Sequence, residues 1–395
     1  MKFFRNAAIR TSLSIAVGMA LLFVARPVRA QDNPLFKIDE SVTRFAFSGA
    51  GRIVYSVRHV FSEKKIQLQR DDIWIAERDG KKRRILQGEK FIRGTTAFSY
   101  TVRGLCWSPD GTKIAADLAT SVMINDDGDT REGVATLLLD DSGHEIQVAG
   151  GYSVIDGAVN AAWLPDGSTL VDLTELQKPA AAPAITGSQA TPQPIAPLER
   201  SFSVTRTNTL TGKSSALFPG RLFSAVVWSA KANTAMAIER SPGTTLHPRL
   251  VELDAQADAS RDLATLDGYA GGLTISPSGK KVAYWVDNEQ LEVRDTSVPA
   301  RVARVRVAIG ILAWSGDENR ILVKRGSAAR TGDLVWVALP SLANSAVGAR
   351  PAAAEVTPQS ILHDLEFRLF DISPDGKMLA VVEPGKRNLL VYALP

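Results

Sequence analysis

Asn125, Asp127 and Asp129 alternate in the run Asn-Asp-Asp-Gly-Asp-Thr-Arg, the one-three-five spacing with which a loop offers oxygen ligands to calcium. The match stops there. A calcium loop takes glycine at its sixth position and glutamate at its twelfth, where this chain has Thr130 and Thr136. A solvated acidic turn is therefore preferred, with calcium the lesser reading, and no other metal or cofactor is expected. His59, His144, His247 and His363 are scattered, and none has a partner at metal-ligand spacing. Asp71-Asp72 and Asp140-Asp141 are sequence neighbours, and neighbours on a strand point to opposite faces, so neither pair is set up for acid–base work. Cys106 is the only cysteine. It reads as a buried, inert thiol between Leu105 and Trp107 and cannot form an intrachain disulfide.

What remains is recognition chemistry. Phe91, Arg93, Phe98 and Tyr100 crowd the stretch Glu89 to Val102, and Arg131 stands in the next polar loop. Aromatic rings beside guanidinium groups suit protein- and sugar-binding surfaces, although packing against neighbouring strands is the commoner use of such rings.

The first thirty residues are set apart. Lys2, Arg5 and Arg10 flank an apolar run from Thr11 to Ala25, and Val28-Arg29-Ala30 supplies small residues for cleavage. Residues 1–30 are expected to be a secretory signal, too short in its apolar part to span a bilayer comfortably. The mature chain is then expected in the periplasm or outside the cell, as a monomer without membrane insertion. The whole chain has 46 basic and 42 acidic residues. Five of the basic ones (Lys2, Arg5, Arg10, Arg26 and Arg29) lie in the signal, leaving 41 against 42. Nucleic acid is therefore not an expected partner. The one basic run, Lys81 to Arg84, falls at a strand edge, where such residues block edge-to-edge pairing.

The elements that would position these residues follow from a repeat. An apolar stretch ends in a large residue, turns through Ser-Pro-Asp-Gly or a variant, and resumes as a β-rich run. The motif starts at Phe47, Trp107, Trp163, Trp228, Ile275, Trp314 and Ile372. Its turn has a mechanism: Ser opens it, Pro presets φ, and Gly takes the left-handed conformation that sends the chain back antiparallel. The motif spacings run from 39 to 65 residues, against roughly 40 for a minimal four-stranded blade. After Ile372 only two strands remain, at Lys377 to Val382 and Asn388 to Leu394, so this unit lacks a fourth strand, and Leu35 to Ile38 has no unit of its own. The expected fold is an all-β, seven-bladed β-propeller over residues 31–395, closed by the N-terminal strand completing the last blade.

Trp-Ser-Pro-Asp-Gly at 107–111 and Ile-Ser-Pro-Asp-Gly-Lys-Met-Leu-Ala-Val at 372–381 resemble the propeller repeat of the TolB-like group, which is also found in prolyl oligopeptidases and dipeptidyl peptidases. The resemblance covers about residues 35 to 395 and implies a fold, not an activity. Nothing between Gln31 and Phe47 is long enough for the α/β domain that precedes the propeller in TolB. No Gly-x-Ser-x-Gly nucleophile elbow of the peptidases is present either.

Propeller topology places Val60 to Arg70, Ala119 to Val134 and Glu175 to Arg200 as loops between second and third strands. Glu89 to Val102 becomes a connection between blades, and all four rise from one face. The third holds a Pro/Ala-rich insertion at 176–199, an excursion that cannot bury a core. The expected function is a noncatalytic platform that binds a protein, peptide or envelope component through this face. An enzyme acting on saccharides or peptides at a channel mouth is the alternative.

Overall fold

In the repeated turn, Ser, Asp and Gly each have a distinct task. Ser108 Oγ donates to Asp110 Oδ1 at 2.5 Å and accepts from Lys113 N at 2.9 Å. Gly111, at φ 71°, donates its N–H to Ser108 O at 2.9 Å, and an L side chain there would be strained. The same contacts recur at Ser373, Asp375 and Gly376. They recur again at Ser315 and Asp317, where the Ser315 hydroxyl helps hold the Asp317 carboxyl below its ordinary range. These turn aspartates are structural.

The computed structural model describes residues 33–394 except 64–65, 89–90, 94–95, 124–129, 148–153, 157, 176–201, 230–232, 240–246, 267–270, 287–289, 308–309, 311, 326–331, 345–351, 366–368 and 384. The described residues form strands and turns with no helix. Each motif turn joins the first two strands of an antiparallel meander. The first unit comprises Val42–Phe47, Ile53–Glu63, Ile66–Ala76 and Lys82–Leu86. The last has Leu369–Ile372, Met378–Val382 and Leu389–Ala393, and its fourth strand is Phe36–Ile38, which pairs antiparallel with Leu389–Val391. Two cross-unit bridges, Arg70 to Tyr100 and Phe202 to Phe223, fuse the first two units into a nine-stranded sheet and the third and fourth into an eight-stranded one.

The core lies between the units. Val54, Ile73 and Ile75 of the first pack against Val102, Ile114 and Leu137 of the second. Similar apolar clusters fill each later joint, and one joins the last unit to the first through Met378, Val391, Ile53 and Tyr55. A cation reinforces several joints. Arg52 donates to Gly111 O and stands 4.8 Å above the Trp107 ring. Lys113 donates to Gly167 O at 2.6 Å, with its ammonium 5.4 Å from the centre of the Trp163 ring. Lys281 reaches Glu318 O at 2.8 Å. In each case the residue that opens the second strand reaches the next unit's turn.

Three expected loops are ladders instead. Val60 to Arg70 is the tip of the hairpin Ile53–Glu63 and Ile66–Ala76, paired out to Glu63 and Ile66. Ala119 to Val134 continues the pairing of Lys113–Met123 with Thr130–Asp140 out to Met123 and Thr130. Within Glu89 to Val102, Phe91–Arg93 forms a hairpin with Thr96–Trp107. Their β-branched and aromatic residues favour pairing, and a ladder satisfies backbone groups that a loop would leave to water. The expected loop Glu175 to Arg200, with its 176–199 insertion, lies outside the described residues from 176 on, as does the 1–30 signal. The basic run does sit on a strand edge, with Lys82, Arg83 and Arg84 exposed on the outer strand of the first unit.

Replacing Lys113 with Ala removes both the carbonyl bond and the cation–π contact across one joint. A loss of about 1–2 kcal/mol in urea-unfolding stability is expected. An unchanged midpoint would mean that the apolar cluster alone holds that joint.

Candidate functional site

The first strand of each of the first five units carries a β-bulge. The register slips between Val42 and Arg44, Val102 and Gly104, Val159 and Ala162, Phe223 and Ala225, and Gly271 and Thr274. A bulge re-aims side chains and is common beside active sites. Arg103 and Asn160, freed from the ladder by their bulges, are exposed, and Asn160 takes a left-handed φ of 52°.

Two groups of buried charge lie beside these bulges. In the first, Arg58 Nε and Nη2 grip Asp71 Oδ1 and Oδ2 at 2.8 Å each, and Val102 N donates to Asp71 Oδ2 at 2.7 Å. Its neighbour Asp72 points the other way. Oδ1 accepts from Gly88 N at 2.8 Å, and Oδ2 lies 3.4 Å from Arg84 Nη1. His59 Nε2 is 3.2 Å from that same oxygen but is not aligned as a hydrogen bond. The two carboxylates thus face apart and are held by different partners. Both nevertheless sit in mid-strand and are fully buried.

The second group joins the second and third units. Asp117 accepts from Thr136 Oγ1 at 2.9 Å and Ala161 N at 3.3 Å. Gly104 makes room for it, since a Cβ there would meet Asp117 Oδ2 at 2.7 Å. Asp172, only 1% exposed, has no hydrogen-bond partner for Oδ2 among the described residues. Burial first, then the nearby Asp117 charge, pushes its carboxyl up to about 7. Burial likewise raises Asp117. Cys106 is partly exposed rather than buried, yet the protein packed around its sulfur and the Asp117 charge push its thiol up to about 12.

No family model matches this chain, and no curated protein matches it in sequence. Solved structures do. A chain from the mitotic checkpoint complex aligns with a TM-score of 0.52 and 12% identity, covering 100% of this chain and 98% of that one. The beta-propeller domain of Myceliophteria thermophila Cps50 (Swd1) aligns at 0.50 and 11% identity, covering 92% and 99%. The chain folds as a β-propeller. TolB from Acinetobacter baumannii aligns at 0.41 with 14% identity, covering 76% of this chain and 66% of that one. Identities this low speak for the fold alone.

Propeller sheets stand around a central channel. The fourth strands of this propeller, such as Ala259–Thr265, face solvent on its outside, so the bulged first strands border the channel. The residues expected to bind partners divide. Tyr100 is 7% exposed and packs in the joint between the first two units, so it serves the core and not a free surface. Phe91 lies directly opposite Phe98, and Arg93 opposite Thr96, on the hairpin beside that joint. Arg131 is paired with Val122 near the tip of the second unit's ladder. Asn125, Asp127 and Asp129 lie outside the described residues. Among those described, no three His, Cys, Asp or Glu side chains are grouped to hold a metal.

The partners of these carboxylates escaped the sequence reading because they lie more than ten residues away along the chain, Val102 from Asp71 and Thr136 from Asp117. One signal was available: Asp172 interrupts the apolar strand run Leu170 to Leu173.

The raised Asp172 carboxyl sets a pH dependence. Its proton is held more tightly folded than unfolded, where the ordinary value is 3.8, so stability falls as pH rises from about 4 to 7 and stays low above. Asp172→Asn should remove that decline and stabilise the protein by on the order of 3 kcal/mol at pH 8. Parallel melting curves of variant and wild type across this range would show Asp172 to be ionised throughout.

Proposed function

We propose that this chain is an exported, noncatalytic propeller that binds a protein or peptide through the end from which the first two units project. Ladder length carries the reading. Ile53–Glu63, Ile66–Ala76, Lys113–Met123 and Thr130–Asp140 each run 11 residues and Thr96–Trp107 runs 12, whereas the middle strands of the fourth unit run 6. A blade closes its core in about half that length, so the extra turns of ladder add surface that the fold does not need. Phe91, Arg93, Phe98 and Arg131 all belong to this projecting region.

The finer architecture in this proposal is a ring of seven blades, closed by Phe36–Ile38 and working as a monomer. It is supported by the pairing of that strand with Leu389–Val391 and by the apolar cluster between the last and first units. Export rests on the signal-like residues 1–30, and a periplasmic or secreted location follows from it. Among the described residues no helix is long and apolar enough to cross a membrane. A second reading, an enzyme acting on saccharides or peptides at the channel mouth, is favoured by one observation. Asp117 and Asp172 both hold raised carboxyls beside the exposed Asn160.

The test is to cut both tips back, replacing 61–68 and 121–132 with tight turns, and to compare capture from a cell-envelope extract. The shortened chain should fold with a similar melting temperature and lose the partners of the mature protein. Identical capture by both would remove the projecting ladders from the binding surface. Turnover of a glycan or peptide panel that is lost in Asp172→Asn would favour the enzyme instead.

A further inference from the structure

We infer that Asp117 and Asp172, facing each other across the joint between the second and third units, are the carboxylate ligands of a hard divalent cation, with calcium the best match. The inference stands apart from the docking end and holds whether or not the projecting ladders bind a partner.

Backbone pairing sets the two acids on facing surfaces. Ala115 and Leu138 of the second unit pack against Ala161, Trp163 and Leu170 of the third. Asp117 lies two residues beyond Ala115 on Lys113–Met123, and Asp172 lies two beyond Leu170 on Thr169–Glu175. Alternate residues of a strand share a face, so each carboxylate points into this joint. They are 6% and 1% exposed, and near enough that the Asp117 charge acts on the Asp172 carboxyl. Asp172 Oδ2 is buried there with no hydrogen-bond partner among the described residues.

The other buried carboxylates are treated differently. Among the described residues these are Asp71, Asp72, Glu239 and Glu292, and each has a guanidinium within 3.4 Å. Around Asp117 and Asp172 the facing positions are neutral. Gly104 and Thr136 pair opposite Asp117, Thr205 pairs opposite Asp172, and Thr174 follows two residues along the same strand. Cys106, on the face that Gly104 shares, has its thiol pushed up to about 12 and carries no charge at neutral pH. Two carboxylates held out of water beside one another are costly to ionise unless a cation joins them.

The joint offers that cation oxygen ligands. Beside the two carboxylates stand the hydroxyls of Thr136, Thr174 and Thr205, the last two 3.5 Å apart. Hard cations select such sets, and calcium accepts about six to eight oxygens in irregular geometry, water included. Two acids are therefore enough, and a doubly charged ion balances both. Glycine at 104 leaves room at Asp117 Oδ2, since a Cβ there would come within 2.7 Å of it. The way in is from the channel. Ala161, whose N–H donates to Asp117 Oδ1 at 3.3 Å, directly follows the exposed Asn160 of the bulge.

The experiment melts the mature chain, stripped of metal with a chelator, with and without millimolar calcium chloride. Potassium chloride at equal ionic strength is the control. At pH 8, calcium at about ten times its Kd should raise the melting temperature by about 2 °C, and potassium should not. At pH 5.5 the rise should shrink, because the ion then competes with a proton for Asp172. Asp172→Asn and Asp117→Asn should each abolish the calcium rise. Asp172→Asn removes a buried charge and should fold at least as well as wild type, so a lost response in it reports the site and not the fold. The double variant Asp127→Asn, Asp129→Asn alters the acidic turn at 125–129 and should keep the full rise.

No rise at pH 8 overturns the inference. So does a rise that potassium reproduces, which would be screening of like charges, or one that survives Asp172→Asn. A rise lost in the double variant also overturns it and moves calcium to the acidic turn.

Discussion

A single cross-unit contact conditions the rest of this propeller: a cation at the start of a second strand, held by the carbonyl of the next unit's turn. Arg52 and Lys113 make it over Trp107 and Trp163. Sheets packed face to face through apolar side chains can slide, because the hydrophobic effect is not directional. A charge-assisted hydrogen bond to one carbonyl fixes the register between sheets. Each turn must then present that carbonyl at the right height, which explains why its Ser, Asp and Gly are so thoroughly bonded to one another.

Anchoring the joints at the turn end leaves the other end of the strands free. The first two units exploit this by extending their ladders past the core and fusing through Arg70 and Tyr100. Where the ladders leave the core, the chain buries Asp71 and Asp72. Each carboxylate receives a backbone N–H from another strand or loop, and each therefore ties parts of the sheet together. Polar groups at this depth are tolerated only when so bonded. Asp172, one of whose oxygens has no hydrogen-bond partner among the described residues, has its carboxyl pushed up instead.

Much of the architecture was legible because its determinants are local. The Ser-Pro-Asp-Gly turn specifies itself within six residues, and alternating apolar residues mark the strands on either side. Gln290–Asp295 and Arg301–Arg306 are two such strands, with Leu291, Val293, Val302 and Val305 buried. The pairing of Phe36–Ile38 with the last unit was also readable, since a strand without a unit and a unit short of a strand complete one another. The long excursions misled, because polar residues in Val60 to Arg70 and Ala119 to Val134 look like loops. On a ladder that projects into water, both faces can be polar while the backbone stays fully paired.

The sequence by itself determined the repeat, the turns and the all-β character, since each depends on residues within one turn or one strand. Tertiary structure alone decided which charges meet. Arg44, Arg58, Asp71 and Arg103 come from four strands of two units, and Asp117 and Asp172 from two more. No local period encodes such a gathering. It arises only when bulges re-aim first-strand side chains and neighbouring sheets pack, and from that point burial raises the Asp117 and Asp172 carboxyls above their ordinary range.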